Sequence, residues 1–479
     1  MYTVVQLGVA LSIALLFSPD ALSSTLTPTT HADLLGVYQA ASENDAQLSA
    51  ARHAYRAQLE AVPQARARLL PELTVGATSE TTRLARDEPS LSRERSGTIF
   101  RANLSQPLFR IDRWYQLKAA QAGAAQAELE LSVKEQAMVF NAAQAYFETL
   151  RQLDGLAAAK AEQAAMLRQR DQAQGRLEDG ASSITDVYDA QAAYDNAWAN
   201  SQLARRKVDD AFEALLRLTK QSYDSIAGVV HQMPVEAPVP NDSEQWVETA
   251  IKQNLQLQAN DRVVEAAQQT LHQRKASYAP TVDIVASYRK GDNDSFGYSN
   301  PTDYGTNGYR GNAAQSSIGL ELNIPLYSGG MTRSQVSEST ERLYQSQDER
   351  EDRVREVVLN THNAFRGINA DIEQIGARRQ SILSGQKSVE ANQVGVDIGS
   401  RNIADVLNAQ RQLYAAVRDY NNARYDYILD NLKLKLKQAA GSLSPADLSQ
   451  LSAFLKQDYD PDRDFLPSIA PVKGADRRL

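Results

Sequence analysis

The chain has no proline between Pro107 and Pro234, and none between Pro325 and Pro445. Proline inside a helix removes a hydrogen bond and clashes with the preceding turn. Two long spans that exclude it, and that are rich in alanine, glutamine, leucine and charged residues, therefore read as long helices. In the later span Val354, Val358, Thr361, Phe365, Ile368, Ile372 and Ile375 step alternately by four and three. Val139, Ala142, Tyr146, Thr149, Leu153 and Leu156 do the same in the earlier one. That spacing is the seam of helices packed side by side. A helix from residue 111 to 178 would be roughly 100 Å long at about 1.5 Å per residue, beyond the reach of one globular domain.

The two spans are copies of one another. "GASSITDVYDAQ" at 180–191 is answered 219 residues later by "GSRNIADVLNAQ" at 399–410. "NAAQAYF" (141–147) aligns with "NTHNAFR" (360–366), "SQPLF" (105–109) with "NIPLY" (323–327), and "LLPEL" (69–73) with "YAPTV" (278–282). A repeat of that size is a duplicated half-chain and not a short solenoid unit. The halves are expected at 24–232 and 245–455, joined by the Pro-rich linker 233–244, with a flexible charged tail over 456–479.

Ahead of each proline-free span the hydrophobic period drops to two. Leu73, Val75 and Ala77 oppose Glu72, Thr74 and Gly76, and Phe100, Ala102 and Leu104 oppose Arg101, Asn103 and Ser105. In the second half Val282, Ile284, Ala286 and Tyr288 oppose Asp283 and Ser287, while Ile318, Leu320, Leu322 and Ile324 oppose Gly319, Glu321 and Asn323. These patterns predict hairpins within 71–109 and 280–327, of strands about ten residues long, each followed by long helices over 111–219 and 329–438. The loops "RLARDEPSLSRERSG" and "GDNDSFGYSNPTDYGTNGYRGNAAQ" read as long polar connections. One apolar and one polar face suits a half-buried soluble sheet or a membrane barrel with a wet lumen, and charges at mid-strand favour the barrel. Four strands cannot close a barrel, and an open edge in lipid leaves backbone groups unpaired. Closure needs several chains: three would supply 12 strands and four would supply 16.

The proline-free spans also reverse direction. Gly180 and Gly399 end the first helix of each half, and Ser183 or Asn402 is placed to cap the next, with an Asp in its first turn. Both reversals then fall at the end farthest from the strands.

The N-terminal run "VVQLGVALSIALLF" (4–17) followed by small polar residues reads as a signal peptide over about 1–23, although no Lys or Arg precedes Arg52. Absence of cysteine excludes disulfides, thiol chemistry and a lipidated N-terminal cysteine. Five scattered histidines offer no metal spacing, and no nucleophile-base set appears, so an enzyme, a cofactor or a bound metal is not expected. A formal charge of −8 without a basic block gives no nucleic-acid footprint. No GxxxxGK[ST] phosphate loop is present, so energy for any transport must come from a partner.

The chain resembles the TolC family of outer-membrane channel-tunnels, from about Asp33 to Leu455. The residues carrying the resemblance include "DLLGVYQAASENDAQL", "LLPELTVGA", "LSQPLF", "ITDVYDAQAAYD", "IPLYSGG" and "GSRNIADVLNAQRQLYAAVRDYNNARYDYILDNLKLK". The resemblance implies an α+β membrane protein, a homotrimer whose 12-stranded β-barrel in the outer membrane lipid continues into a long α-helical coiled-coil periplasmic tunnel. It also implies docking of the hairpin tips at Gly180 and Gly399 to a periplasmic adaptor, with an inner-membrane ABC or proton-driven transporter behind it, for efflux or type I secretion. Arg401 fits the family's tethering arginine, Thr185 and Asp186 its partners, and Asp405 an acidic entrance ring open to divalent cations. Val396 replaces a family tyrosine tether and Asn408 a second acidic position, which implies a gate with fewer tethers. A periplasmic coiled-coil adaptor would share the long hairpins but has no need of two strand hairpins with watery faces.

Overall fold

The computed structural model describes residues 31, 33–86, 91–180, 182–230, 233–292, 312–436, 443–456 and 459–464; the expected signal peptide lies outside them. Helices α1 (Leu34–Asn44), α2 (Ala46–Leu59) and α3 (Ala61–Ala67) lead into strands β1 (Glu72–Arg86) and β2 (Leu91–Phe109). Helices α4 (Ile111–Glu178) and α5 (Ile184–Thr219) follow, and the short strand β3 (Gly228–Val229) ends the first half. The second half repeats the plan with α6 (Ser243–Gln253), α7 (Leu255–Ala276), β4 (Thr281–Asp292), β5 (Asn312–Asn323), α8 (Met331–Asp397) and α9 (Ile403–Lys435). Helix α10 (Pro445–Ser452), strand β6 (Leu455–Lys456) and helix α11 (Pro461–Asp464) close the described chain.

The four long strands form one antiparallel sheet in the order β1-β2-β4-β5. Its register sorts the side chains by face. Leu73 lies opposite Leu104, Leu104 opposite Ala286, and Ala286 opposite Ile318; Val75, Ala102 and Tyr288 form the next row. The other face aligns Thr74, Asn103, Ser287 and Ser317, with Asp283 opposite Glu321. Among the described residues none covers the apolar face: Val75 is 75%, Leu320 71% and Ile318 80% exposed. A continuous apolar sheet face of this kind is stable in lipid and an aggregation hazard in water. Strands β1 and β5 are its unpaired edges within the chain.

The first hairpin differs from its expected length. β1 has 15 residues and β2 has 19, and pairing runs on to Arg86 opposite Leu91, so most of "RLARDEPSLSRERSG" is strand and not loop. Fifteen residues span roughly 50 Å at about 3.3 Å each, well past the ~25 Å apolar band of a membrane barrel. Past Thr81 the sequence no longer alternates between apolar and polar residues, while backbone pairing continues. The corresponding loop of the second hairpin falls mainly outside the described residues.

At the root of the sheet Arg110 ties strand to helix, with Nη1 3.2 Å from Asp283 on β4 and Nε 3.2 Å from Asp112 in the first turn of α4. Helix α4 runs 68 residues and α8 67. Buried Thr361, Ile368, Ile375 and Ile382 recur every seven residues along α8, the heptad row of a left-handed pair. On α4, Val139, Ala142, Tyr146 and Thr149 are buried as their spacing requires. Toward the hairpin tips, α4 packs against α5 and α9, and α9 against α4 and α8. Helices α5 and α8 are thus the edges of the helical layer, carrying exposed Ile184, Tyr188 and Trp198 on one and Leu359 and Val394 on the other.

Where the buried row of α4 reaches residue 154 it holds a carboxylate, 3% exposed. Asp154 accepts from the Tyr425 hydroxyl of α9 at 2.7 Å and from the Tyr459 hydroxyl. Tyr459 belongs to the segment expected to be a flexible tail. At residue 456 and over 459–464 the structure differs: β6 pairs with β3, Lys456 meets Asp464 at 2.8 Å, and Lys160 of α4 meets Asp462 at 3.1 Å. The Tyr459 ring also lies so close to Gly228 that a Cβ there would fall 2.1 Å from it. The buried Tyr425 hydroxyl, the half-buried Tyr459 hydroxyl and the close-packed Tyr459 ring outweigh the charged composition that suggested disorder.

Burial pushes the Asp154 carboxyl from 3.8 up to about 6, against the opposing pull of the two tyrosine hydroxyls and Arg424. The folded protein therefore binds this proton more tightly than the unfolded chain does. The stability tied to it is present below pH ~4 and lost as pH rises through ~6, by about 3 kcal/mol. Asp154→Asn should flatten the apparent unfolding temperature between pH ~4 and ~7; a profile identical to wild type would exclude Asp154 as its source.

Candidate functional site

The two reversals of the long helices sit together at the end away from the sheet. Gly180 and Gly399 adopt φ of +71° and +76°, a left-handed conformation in which a side chain is strained and glycine is not. Gly399 N–H donates to Val396 at 3.1 Å and Ser400 N–H to Gly395 at 2.8 Å, closing the last turn of α8. Helices α5 and α9 then begin on the expected caps. Asp186 N–H donates to Ser183 Oγ at 3.2 Å, and Asp405 N–H to Asn402 Oδ1 at 2.9 Å.

The acidic residues of these first turns have different neighbours. Asp186 completes a capping box, its Oδ2 accepting from Ser182 Oγ at 2.8 Å and from Ser183 N–H at 3.1 Å. The Ser182 hydroxyl, joined by Ser183, holds its carboxyl below the usual range against a smaller effect of burial. Asp405 instead lies 3.8 Å from the Arg401 guanidinium, one turn away. Thr185 is exposed. Within one protomer, then, the ion pair found for Arg401 is with Asp405, and neither Thr185 nor Asp186 is among its described partners. Val396 is half-buried and Asn408 exposed.

Two features of the tips are legible in structure but were missed in sequence. The stem of Arg401 lies across Gly395, where a Cβ would fall 2.6 Å from Arg401 Cγ, so this glycine sets the path of the arginine. Arg176 Nη2 on α4 meets Asp397 Oδ1 on α8 at 2.6 Å, and Gln169 meets Gln393 at 3.3 Å, linking the two hairpins directly. The opposite charges of Arg176 and Asp397, each placed just before the repeated glycine, were the available signal. Beneath them Ile403 and Leu407 pack on Met166, Ala173, Ala190, Ala193 and Ala197, small residues that bring the helices close. Among the described residues no group of His, Cys, Asp or Glu has metal-binding geometry, and no helix is long and apolar enough to cross a membrane.

The family model for outer membrane efflux proteins matches residues 37–219 and 246–442, most of both halves. The chain belongs to that family. Outer membrane protein TolC of Vibrio cholerae is 33% identical over 441 residues, spanning 92% of this chain and 98% of that protein. The alkaline protease secretion protein AprF of Pseudomonas aeruginosa is 26% identical over 428 residues, 88% of this chain and 86% of its own length. Among solved structures, the outer membrane protein VceC of Vibrio cholerae superposes with a TM-score of 0.70 at 17% identity, over 86% of this chain and 97% of VceC. An outer membrane efflux protein of this fold contributes four strands per chain to a barrel continuous with a helical tunnel. It resides in the outer membrane and extends into the periplasm.

The capping residues can be tested apart from any gate. Ser183→Ala removes one cap worth about 1 kcal/mol, so amide exchange over 185–188 should rise about fivefold. Exchange at the start of α9 should not change; equal protection of both first turns would mean the Ser183 cap contributes nothing.

Proposed function

We propose that three copies of this chain form the outer-membrane exit duct of a tripartite system, passing substrates from an inner-membrane transporter to the exterior. The observation that carries the reading is the uncovered apolar face of a sheet with two unpaired edges, which leads at Arg110 into a helix of 68 residues and through residues 324–330 into one of 67. Edge β1 of one chain pairs with edge β5 of the next, and edge α5 packs against the neighbour's α8. A heterologous contact of this kind closes after a fixed number of copies, and three give 12 strands.

The tips at Gly180 and Gly399 are the docking end for a periplasmic adaptor, with an ABC or proton-driven transporter supplying the energy. The family resemblance and the relative named for protease secretion support efflux or type I secretion. The gate belongs to the trimer. Arg401 follows the edge helix α8 and Thr185 and Asp186 open the edge helix α5, so a tether between them joins neighbouring protomers. Three Asp405 carboxylates near the threefold axis make the acidic ring, and Arg401, 3.8 Å away in the same chain, partly offsets each of them.

Tether and ring are therefore coupled. In planar bilayers Arg401→Ser should raise the closed-state conductance and also sharpen block by divalent cations, because it removes the cation beside Asp405. Unchanged conductance would take Arg401 out of the gate. Asp405→Ala should abolish divalent block, and block persisting at the wild-type concentration would reject the ring.

A further inference from the structure

Between α4, α5 and α9, well above the tips, lies a recess of about 600 Å³. That size is ordinary for a small-molecule site. Its floor is built from Gly155 and Ala158 of α4, whose small side chains leave the space open. Four cationic side chains line it, Arg151, Lys207, Arg411 and Arg418, against one carboxylate, Glu162.

The recess faces away from the belt formed by α1, α10, α11 and the β3–β6 pair. On α4 the belt-side residues include Asp154, bonded to Tyr459, and Lys160, paired with Asp462. At 3.6 residues per turn, Arg151, Gly155, Ala158 and Glu162 fall opposite Lys160, with Asp154 at the margin between the two sides. On α9, Arg424 and Tyr427 bond to Val230 and Glu236 of the belt, while Arg411 and Arg418 occupy the far side. Two helices thus agree on the direction. In a closed ring the belt girdles the outside, so the recess opens to the lumen; this last step rests on the duct reading.

The cations differ in how far they are already satisfied. Arg151 meets Asp426 at 2.6 Å and Arg418 meets Asp419 at 3.0 Å. Arg411 lies 4.0 Å from Glu162 and is 56% exposed, and Lys207 is exposed with no ion pair among the described residues. Leu203, 51% exposed, and Tyr414 supply an apolar wall beside them. We propose that this recess is a luminal binding site for small organic anions, the acid group held by Lys207 and Arg411 and the apolar body lying against Leu203 and Tyr414. Each trimer would carry three such sites above its acidic mouth.

The test uses the full trimer in nanodiscs, titrated calorimetrically with 1-naphthalenesulfonate and with 1-naphthylmethylammonium, empty discs being subtracted. Wild type should bind the sulfonate saturably and the ammonium more weakly. Lys207→Glu combined with Arg411→Glu should weaken sulfonate binding about tenfold or more, and Lys207→Arg should retain it. Both side chains are exposed, so assembly, checked by size, should survive the change. Sulfonate affinity unchanged in the double variant, or equal affinity for the two probes, would overturn the site. Conductance of the same preparation separates the two readings: a conducting trimer without sulfonate binding removes the site and leaves the duct. Charge-selective binding without conductance keeps the site and removes the duct.

Discussion

Unpaired backbone groups at the edges of an apolar sheet are the constraint on which the rest of this molecule depends. The sheet formed by β1, β2, β4 and β5 turns Leu73, Val75, Ile318 and Leu320 outward and buries none of them. Lipid satisfies those side chains but cannot satisfy a free edge, where each unpaired N–H or C=O costs several kcal/mol. The sheet must therefore be closed by other copies of itself. The duplication makes this possible, because the outer strand of one half and the outer strand of the other become different edges of a single surface.

The helical layer obeys the same rule at its own scale. Helices α4 and α9 occupy the middle of the protomer and are rich in fully buried residues, whereas α5 and α8 present Tyr188, Trp198, Leu359 and Val394 outward. Arg110 couples the layers by bonding to both Asp112 and Asp283 at the root of the sheet. At mid-height the docked C-terminal segment and the Asp154–Tyr425–Tyr459 contact fasten the belt to α4 and α9. At the far end Arg176 and Asp397 join the two hairpins, so each protomer delivers its tips as one unit.

Most of this architecture can be read from the chain because it rests on repeating physical patterns. Period two locates the strands wherever one face is apolar, as at Leu73, Val75 and Ala77, and fails for Arg83–Arg86, where the backbone pairs on but the residue types no longer alternate. Proline exclusion and heptad spacing locate the long helices, and glycine followed by Ser or Asn locates their reversals. Single-copy contacts are less legible. Asp154 occupies a helix-core position that its spacing alone would give to an apolar residue, and only the distant hydroxyls of Tyr425 and Tyr459 explain it. Asp186 looks equivalent to Asp405 in the repeat, yet one side chain caps its own helix and the other meets Arg401. That difference follows from Ser182 and Ser183 in one copy against Arg401 and Asn402 in the other.

Stoichiometry tests the closure of the sheet most directly. Native mass spectrometry of the protein released from nanodiscs should give an assembly of three chains, with no stable monomer retaining the sheet. A membrane-embedded species of one or two chains would leave the edges of β1 and β5 without partners in lipid, and would contradict the closed barrel on which the duct, the gate and the luminal site all rest.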